Sequence, residues 1–113
     1  MRIIDAAIAL DDLKRMAMDG FGNLVKGVVD IEREIMAVDG ELHADEEALL
    51  LQHGSRQADL WGINIYPELG MPDRIEFDSM INIRPSQGNR SRDVDDPAIR
   101  EKILLITQKL ITQ

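Results

Sequence analysis

Apolar and polar positions follow two different periods along this chain, and the changes of period divide it into elements. Leu10, Leu13, Met16 and Ala17 recur at helical spacing. They predict a helix from about Asp11 to Asp19, with Asp11 or Asp12 as its N-cap and Gly20 as its stop. At the other end, Asp96-Pro97 opens a second helix with proline at the first helical position, and Ile99, Ile103, Ile106 and Leu110 form its inward stripe. Between them the period is two. Leu60–Tyr66 predicts a strand with Trp61, Ile63 and Ile65 on one side and Gly62, Asn64 and Tyr66 on the other. In Ile75–Arg84, the clearest alternation in the chain, Ile75, Phe77, Ser79, Ile81 and Ile83 alternate with Glu76, Asp78, Met80, Asn82 and Arg84. Pro67–Asp73 and Pro85–Asp96 read as loops, and Arg2–Asp5 as a short β-prone start.

The stretch from Leu24 to Gly54 supports two readings. Val25, Val28, Val29 and Ile31 are β-branched, and Asp39-Gly40 is a strong signal for a two-residue hairpin turn. Pairing outward from that turn sets Val38 against Glu41, Ile35 against Ala44 and Val29 against Leu50. One face then collects Val29, Ile31, Ile35, Ala37, Leu42, Ala44, Ala48 and Leu50, and the other collects Asp30, Glu32, Glu34, His43, Asp45 and Glu47. The hairpin is the preferred reading. In the competing one, Glu46–His53 is a helix capped by Asp45 and ended by Gly54.

The expected fold is a two-layer α+β domain. An antiparallel β-meander of four to five strands carries the N-terminal and C-terminal helices on one face. The opposite face would be open and polar, presenting the acids and His43 together with Asn64, Tyr66, Glu76, Asp78, Asn82 and Arg84.

With 113 residues, the chain has room for a single domain, 1–113, and its 44% hydrophobic content is enough for a core. There is no cysteine, which excludes disulfides, thiol catalysis and cysteine zinc sites. No apolar run is long enough to span a bilayer, and Asp5, Asp11 and Asp12 interrupt any signal-peptide-like start, so a cytoplasmic location is expected. The net charge of −8 argues against general nucleic-acid binding. That charge is uneven. Residues 1–83 hold seven basic and seventeen acidic side chains, and residues 84–113 hold six and four.

The basic part contains the most distinctive segment, Arg84-Pro-Ser-Gln-Gly-Asn-Arg-Ser-Arg92, which has no acid. Its guanidiniums, amides and hydroxyls are all groups that bind anions, and Arg84, Ser86, Gln87, Asn89, Arg90, Ser91 and Arg92, with Asn64 and Asn82, form the candidate ligand site. The hairpin register raises an electrostatic question. It would set Glu32 against Glu47 and Glu34 against Asp45, and like charges directly opposite are destabilising. Three things could offset them: the arginine loop folding over the acids, a second subunit or partner, or a divalent metal. For a metal, Glu32, Glu34, His43, Asp45 and Glu47 are the candidate ligands, an oxygen-rich set suited to Mg²⁺, Ca²⁺ or Mn²⁺. Otherwise no cofactor is expected. His53, beside Gly54, reads as a solvated turn residue, and no serine stands in a nucleophile-elbow context. Gly20-Phe21-Gly22 neither follows a clear strand nor precedes a suitably placed lysine, so it is not a phosphate loop.

Several longer motifs carry a resemblance. Ile35-Met-Ala, Gly40-Glu-Leu-His-Ala-Asp-Glu-Glu-Ala48, Trp61-Gly-Ile-Asn-Ile-Tyr-Pro67, Ile81-Asn-Ile-Arg-Pro-Ser-Gln-Gly-Asn-Arg-Ser-Arg92 and Asp96-Pro97 resemble a family of small bacterial proteins known only as a domain of unknown function. The resemblance runs from about Leu24 to Leu110. It implies a stand-alone soluble bacterial protein, and it implies no activity, substrate or cofactor. The leading expectation is therefore a binding module that holds an anionic ligand or a protein partner through the polar sheet face and the arginine loop. The alternatives are a small metal-dependent phosphodiesterase or nuclease and a regulatory, antitoxin-like interaction protein. A homo-oligomer is compatible with each.

Overall fold

The β-branched run at Val25–Asp30 becomes the central strand of a five-stranded sheet in the computed structural model, which describes residues 1–113. In chain order the elements are β1 (Arg2–Ile4), β2 (Ile8–Ala9), α1 (Leu10–Asp19), β3 (Val25–Asp30), β4 (Ile35–Val38), α2 (His43–Gln52), β5 (Leu60–Ile65), β6 (Ile75–Glu76), α3 (Pro97–Leu110) and β7 (Ile111–Thr112). The sheet runs β1-β4-β3-β5-β6 with every neighbour antiparallel. This is the expected α+β class, with a helix near each end of the chain. The strand order departs from a simple meander because β3 lies between β4 and β5. A two-residue parallel ribbon, β2 with β7, ties the start of α1 to the end of α3.

Both terminal helices bury their stripes against one sheet face. Leu13 and Ala17 of α1 and Ile103, Ile106 and Leu110 of α3 share one core with Val25, Val29, Met36, Val38, Trp61, Ile63 and Ile65. Asp96 caps α3, its carboxylate accepting from Ala98 N–H at 2.8 Å. The cap of α1 differs from expectation: Ala9 occupies the N-cap position, and Asp11 and Asp12 lie in the first turn, where they favour the helix dipole.

The principal correction concerns residues 24–53. The chain reverses at Asp30–Ile35, not at Asp39-Gly40, and β3 pairs with β4 through Gly27↔Val38 and Asp30↔Ile35. The Asp30 carboxylate builds the reversal, accepting from Glu32 N–H and Arg33 N–H at 2.9 Å each, and Glu34 takes the left-handed conformation that closes it. Asp39 is also left-handed, with φ of 69°. Its turn leads into α2, so the 41–50 arm of the expected hairpin is helical from His43 onward. The proposed pairs Glu32–Glu47 and Glu34–Asp45 therefore do not exist.

This places α2 on the second sheet face, expected from sequence to be open and polar. Leu50 of α2 packs with Val28, Ile35, Ala37 and Leu60. Ile35–Val38 is consequently buried on both sides, which accounts for its unbroken apolar run. The expected strand Ile75–Arg84 is also shortened to Ile75–Glu76. The Ser79 hydroxyl accepts from Ile81 N–H and starts a 3₁₀ turn at Met80–Asn82, so the chain leaves the sheet edge. It crosses over Gly62, where a Cβ would lie 2.5 Å from the Cβ of Ser79.

Candidate functional site

The arginine loop is organised from within. Asn82 is fully buried, and its amide nitrogen donates to the carbonyls of Gly62 and Arg92, both at 3.0 Å. The amide of buried Asn89 donates to the carbonyls of Asn82, Ser91 and Asp93, and its oxygen accepts from Asp95 N–H at 2.8 Å. Arg84 stacks on Trp61, with its guanidinium carbon 4.2 Å from the ring centroid, and donates to the carbonyls of Gln57 and Leu60. Burial lowers its pKa from the ordinary arginine value, an effect that Glu47 opposes. Gln87 donates to the Ala58 carbonyl, and Ser91 donates to Asp95. Arg92 pairs with Asp78 at 2.6 Å, the kind of internal bridge considered for this loop. Ser86 and Arg90 are exposed.

The five candidate metal ligands separate. Glu32 and Glu34 are exposed in the β3–β4 reversal, where Glu34 pairs with Lys109 of α3 at 3.2 Å. His43, Asp45 and Glu47 are on α2, with Asp45 exposed and His43 buried. His43 Nε2–H donates to the Ile63 carbonyl at 2.8 Å, and burial lowers the pKa of the ring. No three His, Asp or Glu side chains converge in a geometry that could hold a metal ion.

A polar row crosses the sheet beyond the cover of α2, through the register pairs Lys26↔Asn64 and Asn64↔Glu76. The amide nitrogen of Asn64 donates to Glu76 at 2.8 Å and to the Asp78 carbonyl at 3.3 Å. Its oxygen is buried without a partner. Tyr66 donates to the same Glu76 oxygen, and its pKa is raised by desolvation first and by the Glu76 charge second. Of the expected site residues, Asn64, His43 and Arg92 approach this row. No cavity opens on it.

One of the open concavities lies at the other side of Lys26. A cleft of about 210 Å³ is lined by the end of α1, the 20–26 segment and the Asp39–Glu41 turn. Phe21 stands between Gly20 and Gly22 with 52% of its surface exposed, and Lys26 Nζ lies 5.2 Å from its ring centroid. Leu42, 58% exposed, extends the cleft, and Met18 in the last turn of α1 is 78% exposed. Asp19, Asp39 and Glu41 contribute three carboxylates that make no ion pair and no side-chain hydrogen bond. Beneath the turn, fully buried Glu46 accepts from Gly40 N–H at 2.9 Å. Desolvation pushes the Glu46 carboxyl up to about 9, against the pull of the Gly40 bond and the Lys26 charge.

None of the cleft residues belongs to the site expected from sequence. The signal was present in Gly20-Phe21-Gly22, an aromatic displayed on a tight turn, and in Lys26, the one cation in an otherwise apolar strand start. Comparison with curated proteins and with solved structures finds no match. A family model described as "Protein of unknown function (DUF5674)" matches residues 2–110.

Proposed function

The chain belongs to that family of proteins of unknown function, and from its geometry we propose that it is a binding module for a protein partner, working through the cleft around Phe21. The observation that carries this reading is the gathering of exposed Phe21 and Leu42 with three unpaired carboxylates in one concavity. Exposed apolar side chains rimmed by polar ones are the usual mark of an interaction surface. The other expected ligand, an anionic small molecule held by the arginine loop, has less support because the amides of Asn82 and Asn89 and both terminal nitrogens of Arg84 donate to the protein's own carbonyls. The metal-dependent hydrolase lacks a gathered ligand set. No helix is long and apolar enough to cross a membrane, and a cysteine-free chain suits the cytoplasm, where we place it.

The test compares three forms of the full chain as bait in extracts of the source cell: unaltered, Phe21→Ala with Leu42→Ser, and Arg90→Ala with Arg92→Ala. The expected result is a partner retained by the first and third and lost by the second. A partner lost only by the arginine variant, or saturable binding of inorganic pyrophosphate at the loop, would overturn the reading.

A further inference from the structure

We infer that the cleft recognises a basic, arginine-bearing segment of the partner, with one guanidinium seated on Phe21 among Asp19, Asp39 and Glu41 and an adjacent apolar side chain on Leu42. This inference rests on the partner-binding reading and adds the chemistry of the partner.

The ring of Phe21 already holds one cation, Lys26, at 5.2 Å. An aromatic face attracts a cation through its quadrupole, and carboxylates beside the ring add their own Coulomb attraction. Lys26 is the only cation lining the cleft, against three carboxylates, so the lining is net negative. The chain as a whole is net negative too, at −8, which steers basic partners toward it. Guanidinium suits this site better than ammonium because it is planar, stacks on aromatic faces and bonds carboxylates through a fork of donors. The receptor is also held in place. The left-handed Asp39 and the Gly40 N–H bonded to Glu46 fix the turn that carries two of the three carboxylates. A Cβ at residue 40 would lie 2.7 Å from Glu46 Cγ, so the turn sits tightly on α2. A preformed site loses less ordering entropy on binding. Leu42 and Met18 offer apolar contact for a neighbouring side chain of the segment.

The test uses the full chain, isotope-labelled, titrated with the synthetic peptide acetyl-Arg-Leu-Arg-Leu-Arg-amide and with its glutamate counterpart. The expected result is saturable binding of the arginine peptide alone. Its shift changes should centre on Phe21, Lys26, Gly40 and Leu42, and its affinity should fall as salt is raised. Phe21→Ala, and separately Asp39→Asn with Glu41→Gln, should each weaken binding by about two- to fivefold. These positions are exposed, and asparagine tolerates the left-handed conformation at 39, so the variants should keep the native melting temperature. Equal binding of the glutamate peptide, shift changes spread over the other surface acids, or unchanged affinity in both variants would overturn the inference. So would self-association of the chain that is lost in both Phe21→Ala and Arg90→Ala, which would make a second copy the occupant. If bait capture depends on Phe21 while the arginine peptide does not bind, the basic chemistry fails and the partner-binding reading stands. If capture is indifferent to Phe21, that reading fails first.

Discussion

The side chain of Asn82 takes the place of a missing strand beside Gly62. Gly62 N–H donates to Asn82 Oδ1 at 2.8 Å, and Asn82 Nδ2 donates to the Gly62 carbonyl at 3.0 Å, so one amide satisfies both outward backbone groups of a buried residue on β5. Leu60, two residues earlier, has its carbonyl satisfied by Arg84, and Asn64, two residues later, by β6. The free edge of β5 is thus closed by Asn82 and Arg84, two of the residues expected from sequence to hold a ligand. A covered edge does not recruit other strands.

Replacing Asn82 with alanine strips two buried backbone groups of their partners and detaches the Arg92 carbonyl as well. Buried unsatisfied groups cost about 1–3 kcal/mol each. Asn82→Ala should therefore lower unfolding stability by about 3 kcal/mol in chemical denaturation. Gly62→Ala should be comparably damaging, because its Cβ would collide with that of Ser79. A loss below about 0.5 kcal/mol for Asn82→Ala would show that the edge does not need its amide.

Glu46 makes stability depend on pH in a defined direction. Its folded pKa, about 9, lies above the ordinary carboxyl value of 4.5, so the folded state holds the proton more tightly. Its contribution is fully present below about pH 4.5 and is lost as pH rises through about 9. The dominant cause is burial. Gly40 N–H, Lys26 and the N-terminal amine act against it, and Asp39 adds to it. Glu46→Gln keeps an acceptor for Gly40 and removes the titration. It should stabilise the protein at pH 7 by about 2 kcal/mol and flatten the fall in melting temperature between pH 5 and 9. Parallel pH profiles for the two proteins would contradict this assignment.

Arg84 contributes through shape as well as charge. It stacks on Trp61 and donates to two backbone carbonyls from one planar fork, which lysine cannot reproduce. Arg84→Lys should destabilise by about 1–2 kcal/mol. It should also shift the emission of Trp61, the only tryptophan in the chain. Unfolding followed by that fluorescence reads both effects together.

Divalent cations should leave this protein unmoved. With Glu32 and Glu34 in the β3–β4 reversal, His43, Asp45 and Glu47 on α2, and no three of them converging, Mg²⁺, Ca²⁺ or Mn²⁺ at about 1 mM should change the melting temperature by less than about 1 °C. A rise of several degrees would require a metal site in the native state.

The sequence by itself determined the elements whose information is local. The apolar stripes of α1 and α3, the Asp96 cap with its following proline, and the alternation in β5 need only their own residues, because a helix face or a strand face repeats within a few positions. The α+β class followed from them. The tertiary structure decided where residues 24–53 go. Asp39-Gly40 does turn the chain, but the carboxylate of Asp30, not that turn, reverses β3 onto β4, and α2 buries Leu50 on the second sheet face. The structure also decided the roles of Asn82, whose Gly62 partners come within reach only when the chain folds over β5, and of Asn89, whose partners are backbone groups gathered by the loop itself. The cleft at Phe21 joins residues near 20 to residues near 40, and a local pattern does not record which distant carboxylates will meet around an exposed ring.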